Sequence, residues 1–352
     1  MKYTRLGNTG LKVSPICFGC MSIGEPGPGF AWAVGEDAAR GLIRTALENG
    51  INFFDTANMY AYGTSESQLG QAIADFAHRD EIVLATKCYF NWERGPNTNR
   101  LSRKSIFNQV EGSLRRLRTD YIDLYQIHRL DEDTPIEETM EALHDLVKQG
   151  KVRYVGASSM HAWEFQHAQH VAEANGWTKF VAMQNQVSLL YREEEREMLP
   201  YCDATGVGVI PWSPLARGRL TRDLGQTTAR SEGDFSEPGY YSEYHEAQGD
   251  AARAGDDKVI AEVHTLAEER AVPRAQIGLA WLLQKSAVTA PIVGVAKDNH
   301  ITDAVAATEL ELSDEEIERL ERHYITRPPF ISGSDAMSRW DFKVTVKDTD
   351  NG

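Results

Sequence analysis

The stretch YIDLYQIHRLDEDTPIEETMEALHDLVKQGKVRYVGASS, residues 121–159, decides the architecture. Its ends, YIDLYQIH and VRYVGASS, are short runs apolar on both faces, the pattern of parallel strands covered on both sides. Between them Thr134, Pro135 and Glu137 read as a capping box with proline at the first helical position, opening an amphipathic helix. Strand, helix and strand in one short stretch make a βαβ unit.

The same alternation recurs on either side. PICFG, INFFDTA and IVLATK precede the stretch, and FVAMQNQ, GVGVIPWS and APIVGVA follow it. Further helix starts are read at Ser65 with Gln68 and at Ser313 with Glu316. Strands and helices in this order fit a closed (β/α)8 TIM barrel or an open doubly wound sheet. A doubly wound dinucleotide domain would carry GxGxxG after an early strand, and none occurs, so the barrel is favoured.

YTRLGNTGLKVS, two short alternating runs around NTG, is expected to form an N-terminal β-hairpin sealing the barrel bottom. Residues 1–352 then form a single barrel domain with extended loops at the C-terminal face. The largest is an inserted loop at 217–256, a smaller one is YFNWERGPNTNR, and a C-terminal tail covers 326–352. All three are candidate lids and pocket walls.

Composition narrows the function. With 37 basic against 52 acidic residues the formal charge is −15, which repels phosphate backbones and speaks against nucleic-acid binding. No run approaches the ~20 apolar residues of a membrane span, and MKYTRLGNTGLKVS lacks the apolar core of a secretory signal, so a cytoplasmic protein is expected. Cys17 and Cys20 form a CxxC within the apolar run SPICFGCMSIG, where residues three apart on a strand face opposite ways; buried small hydrophobes are the better reading, and no metal is expected. His161, His167 and His170 read as a solvated helix face, and REEEREM as a charged helix start.

Barrel chemistry sits at the C-terminal ends of strands. Asp55 ends the second strand run, Lys87 the third and His128 the fourth, while Tyr60 lies just past Asp55. A tyrosine is a weak acid at neutral pH, and a neighbouring ammonium at Lys87 would pull its pKa toward the working range. Asp55 would pair with Lys87, because a buried charge needs a partner. His128 could donate a hydrogen bond to a substrate oxygen as charge develops. The four groups describe a site that protonates an oxyanion, the protein's half of a carbonyl reduction, with a cofactor to supply the hydride.

FDTANMYAYGTSESQLG, LATK, LYQIH, YVGASS, MQNQVSLL, PWSPLARGRLT and IVGVAK, in this order over nearly the whole chain, resemble the aldo-keto reductase superfamily. The resemblance implies NADP(H) across the barrel mouth, Tyr60 as general acid, Asp55 and Lys87 as its modulators, and His128 orienting the substrate. It further implies Gly19, Cys20, Met21 and Asp55 against the cofactor, and Ser158, Ser159 and Gln184 at the carboxamide. Trp212 would stack on the nicotinamide, and Ser213, Pro214, Leu215, Arg217 and Gly218 would line the pyrophosphate. Gly294, Ala296, Lys297 and His300 would surround the adenosine 2′-phosphate. The cation at Lys297 favours NADP over NAD, against the nearby acids Asp298 and Asp303. Ala304 falls where many relatives carry an adenine-contacting Asn.

Tyr62, Phe90, Trp92 and Trp340, with Arg129, are read as walls of the substrate pocket. TPIEETMEALHDLVKQGKVRYVGASSM and REEEREMLPYC resemble the bacterial branch that includes YajO. The expected activity is NADPH-dependent reduction of an aldehyde or ketone. Its alternatives are alcohol oxidation as the working direction and a slow cofactor-sensing regulatory subunit. The expected partner is a small carbonyl or alcohol substrate.

Overall fold

The computed structural model describes residues 1–92, 95–226 and 249–329. Strands β1 (Thr4–Arg5) and β2 (Lys12–Val13) pair antiparallel as the expected hairpin. Among the described residues eight parallel strands follow: β3 (Cys17–Gly19), β4 (Phe53–Asp55), β5 (Val83–Cys88), β6 (Ile122–Ile127), β7 (Val152–Ser158), β8 (Ala182–Gln184), β9 (Gly208–Val209) and β10 (Ile292–Gly294). They lie in one curled sheet in chain order, with β10 beside β3. The remaining gap is bridged by backbone bonds from Thr289 N to Val209 O and from Ile292 N to Pro211 O, both 2.8 Å. This is the (β/α)8 arrangement that the strand runs anticipate.

Helices alternate with the strands: α1 (Glu36–Glu48), α2 (Thr64–Phe76), α3 (Arg103–Leu117), α4 (Ile136–Lys148), α5 (Ala162–Ala174), α6 (Met198–Thr205), α7 (Gly249–Arg270), α8 (Arg274–Leu283), α9 (Asp298–Ala307) and α10 (Asp314–Glu321). Residues 249–256, read as the end of the inserted loop, are the first turns of α7. Of that loop 227–248, and of the tail 330–352 with Trp340, lie outside the described residues.

Two apolar layers hold the barrel. Inside, Leu6 and Val13 from the hairpin pack on Cys17, Phe53, Val83, Leu124, Ala182 and Ile210, closing the bottom. Burying Leu6 fully is worth roughly 1.5–3 kcal/mol. Gly7 permits the approach: it has φ +52°, and a Cβ there would lie 2.5 Å from Gly206 O and Gly208 N. Outside, Phe18, Phe54, Leu84, Tyr125 and Val155 face the helices.

Three local expectations change. Ser313 and Glu316 do form a reciprocal capping box, but α4 starts without one, because the Thr134 hydroxyl donates to Asp131 instead. Ser65 lies inside α2, its hydroxyl donating to Cys20 O at 2.8 Å. In REEEREM, Glu193 and Glu194 are buried rather than solvated: Tyr324, Arg196 and the Arg327 amide serve Glu193, while Asn185 and Tyr191 donate to Glu194. Tyr324 and Arg327 are distant in sequence, so a charge run alone does not reveal them. All four cysteines are buried thiols. His167 and His170 are exposed on α5, and among the described residues no helix is long and apolar enough to cross a membrane.

Candidate active site

Parallel register sets the site. Gly19 lies level with Asp55, Lys87 with Gln126, and Ser158 with Gln184, all at C-terminal strand ends. Lys87 is fully buried, and its Nζ donates to Asp55 Oδ1 at 2.5 Å, to Thr56 O at 2.8 Å and to Tyr60 Oη at 3.3 Å. All three ammonium protons are thereby placed. Asp55 is 2% exposed, and its second oxygen receives the side-chain amides of Gln126 and Gln184, each at 3.0 Å. A carboxylate with these donors is tolerated beside the phenylalanines of β4 because its charge is matched.

Tyr60 opens a tight turn in which Ala61, Tyr62 and Gly63 all have positive φ. Non-glycine residues pay for that conformation, and such residues gather at functional sites. The turn holds the Tyr60 ring edge-on to His128, with centroids 5.8 Å apart, and His128 in turn meets Phe90 at 5.1 Å.

Burial raises the Tyr60 pKa, and the Lys87 charge pulls it back only in part. The phenol is therefore protonated at neutral pH, a correction to the expectation that Lys87 would dominate. Because its oxygen accepts from Lys87, its own hydrogen is left to be given away. Burial would lower the Lys87 pKa, but Asp55 and Tyr60 more than offset it, so the ammonium persists. His128 is held well below the imidazole range by burial first, then by Lys87 and Arg129, and is neutral.

Asp55, Tyr60 and His128, with Lys87 buried behind them, line a cleft of about 1110 Å³. Near them stand the apolar walls Phe30, Trp32, Met59, Tyr89 and Phe90; Asn58 pins the last by donating to its carbonyl at 2.7 Å. The cleft also takes in the cations Arg217, Arg222, Arg274 and Lys297. Arg274 pairs with Asp223, whereas Arg222 and Lys297 make no ion pair among the described residues. Both charges bear on His300 and depress its pKa, after burial. An anionic ligand suits that end.

Residues 15–325 match the model of the aldo/keto reductase family. The chain belongs to the aldo-keto reductase family. It is an oxidoreductase, as its relatives' names also say. It is 44% identical to the aldo-keto reductase AMT2 of Alternaria alternata, over 93% of this chain and 92% of the relative. It is 43% identical to a candidate aryl-alcohol dehydrogenase of Schizosaccharomyces pombe (93% and 96%) and 42% identical to the versiconal hemiacetal acetate reductase of Aspergillus parasiticus (93% and 98%). These relatives are fungal, so the expected tie to the bacterial YajO-like branch is not supported.

In this aldo-keto reductase the cleft brings together most of the residues singled out from sequence. Gly19, Cys20, Met21, Asp55, Tyr60, His128, Ser158, Gln184, Trp212, Ser213, Pro214, Leu215, Arg217, Gly218, Gly294, Ala296, Lys297 and His300 line it, as do Phe90 and Arg129. Ser159 does not; its hydroxyl accepts from Trp212 Nε1 at 3.1 Å and fixes the indole. Tyr62 is half exposed and donates to Pro28 O, packing edge-on to Phe30 behind the wall. Trp92 carries the Arg116 guanidinium on its ring, 5.0 Å from the centroid, away from the cleft. Asp298 turns aside to accept from Thr45, and Ala304 is buried. Phe30, Trp32, Gln126 and Arg222 were missed; only Arg222, third arginine of ARGRLTR, had a sequence signal in its charge.

Proposed function

We propose that this aldo-keto reductase reduces aldehydes or ketones to alcohols with NADPH. The observation that carries the reading is the Lys87 ammonium donating to a buried, protonated Tyr60 that lines the cleft. When bound, the reduced nicotinamide supplies a hydride to the carbonyl carbon. Tyr60 gives its proton to the carbonyl oxygen, and Lys87 stabilises the phenolate left behind. Asp55 keeps Lys87 charged and in place. Neutral His128 donates a hydrogen bond to the same oxygen as it becomes negative.

The cleft also fits a dinucleotide. Trp212, held by Ser159, offers a flat face for the nicotinamide, and Ser158 and Gln184 offer polar groups for its carboxamide. Arg217 and Gly218 would hold the pyrophosphate. Lys297 and Arg222, without counter-ions among the described residues, favour a cofactor with an additional phosphate.

Purified protein, NADPH or NADH, and a panel of aldehydes test the reading by loss of the reduced nicotinamide's absorbance. Turnover preferring NADPH is expected, with Tyr60→Phe slower by about 10²–10⁴-fold. Absence of turnover, or a Tyr60→Phe enzyme as fast as its parent, would refute it. The Schizosaccharomyces pombe relative's name favours a second reading, alcohol oxidation as the working direction. The same groups would then act in reverse, and rates measured both ways separate the two.

A further inference from the structure

Resting on that function, one cation at the chemical end of the cleft has no use in proton transfer. Arg129 follows His128 directly at the end of β6 and lines the cleft beside Tyr60, His128 and Phe90. Its Nη1 donates to the His128 carbonyl at 2.7 Å, and its guanidinium stands 5.9 Å from the Phe90 ring centroid. Its Nε is buried without a partner, and among the described residues it makes no ion pair.

Like Arg222 at the far end of the cleft, it differs from part-buried arginines away from the cleft. Arg79 is paired with Asp123, Arg116 with Glu66 and Arg192 with Glu195 and Glu321. Asp131, the nearest acid along the chain, is taken by Arg100. A part-buried guanidinium whose Nε lacks a partner among the described residues suits an anion, and the cleft it lines can supply one.

The phosphate-binding cations do not compete for this place. Arg222 and Lys297 act on His300, whereas Arg129 acts on Tyr60 and His128. Around Tyr60 and His128 the cleft is walled by Phe30, Trp32, Met59, Tyr89 and Phe90, which suits an aromatic ring. We propose that Arg129 recognises an acidic substituent on the substrate, and that the substrate class is aromatic aldehydes or ketones bearing a carboxylate.

The test compares benzaldehyde with its ortho-, meta- and para-carboxy derivatives in the parent, Arg129→Met and Arg129→Lys enzymes with NADPH. At least one carboxylated isomer should exceed benzaldehyde in kcat/KM by about tenfold or more, the scale of a charged hydrogen bond. Arg129→Met should lower that ratio about 10- to 100-fold, and Arg129→Lys should restore part of it. A parent without preference, a ratio unchanged in Arg129→Met, or equal losses on all substrates would overturn the proposal. So would a tenfold loss of NADPH affinity in Arg129→Met, which would assign the guanidinium to the cofactor. Should benzaldehyde and its derivatives all resist turnover while other aldehydes are reduced, the substrate class fails and the reductase reading stands; no turnover of any aldehyde fails the reductase reading. Calorimetry with isophthalate against benzoate then decides Arg129: the dianion should bind more tightly in the parent and lose its advantage in Arg129→Met. Equal binding of the two would overturn it.

Discussion

Replacing Lys87 with methionine separates what the ammonium does for the chemistry from what it does for the fold. Its Nζ lies 3.3 Å from Tyr60 Oη, and Coulomb's law at an effective dielectric constant of about 20 gives roughly 5 kcal/mol for an ammonium and a phenolate at that separation. If most of that attraction develops as the proton leaves, its loss slows turnover by about three to four orders of magnitude. Stability suffers for another reason: Asp55, 2% exposed, is left as a buried charge without its cation, which costs about 3–5 kcal/mol. Pairing Lys87→Met with Asp55→Asn removes the orphaned charge. The double variant should therefore regain most of the stability in urea unfolding, yet remain as slow as the single one in NADPH oxidation. A single variant within about tenfold of the parent rate, or a double variant no more stable than the single, would refute this division of roles.

Two pH experiments follow from the same electrostatics. Because burial raises the Tyr60 pKa, reduction should be constant through neutral pH and fall only in alkali as the phenol loses its proton, while oxidation rises there; a reduction limb falling below neutrality with the pKa of Tyr60 would contradict the assignment. Glu194 is raised from 4.5 to about 7, chiefly by burial, although Asn185 and Tyr191 donate to it. Below about 4.5 both folded and unfolded chains hold this proton; from there to about 7 only the fold keeps it, so the stability present at low pH is lost as pH rises. The loss is roughly 3 kcal/mol, and Glu194→Gln should remove it, seen as a smaller drop in Tm between mildly acidic and mildly alkaline buffer than the parent shows.

The periodic part of the molecule was legible. Strand runs apolar on both faces became β3 to β10, and the strand-end positions of Asp55, Lys87 and His128 put them on one rim because parallel register leaves no other place. What escaped reading lacks a period or a local partner. Phe30 and Trp32 sit in GEPGPGFAW, an irregular stretch whose proximity to Tyr60 is created only by the fold. Gln126 looks like one more strand residue until Asp55 and Gln184 close around it. Tyr62 and Trp92 have the composition of pocket walls, but the left-handed turn leaves Tyr62 half exposed outside the cleft and Trp92 stacks on the Arg116 guanidinium instead. Ser65 and Thr134 matched helix-start spacing, yet each hydroxyl had a better acceptor, Cys20 O for one and Asp131 for the other.

The left-handed run Ala61, Tyr62 and Gly63 governs where this enzyme can change. Each non-glycine residue there already carries about 1–2 kcal/mol of strain, and Gly24 opposite has no room for even a methyl group, its Cβ falling 2.4 Å from that of Ala61. A β-branched replacement in the run would displace the neighbouring phenol. Phe30 and Trp32 share a loop in which no non-glycine residue has positive φ, whereas Phe90 follows Tyr89, itself at φ +132°. Substitution at Phe30 or Trp32 can therefore reshape the apolar wall without adding to the strain of the turn that carries Tyr60.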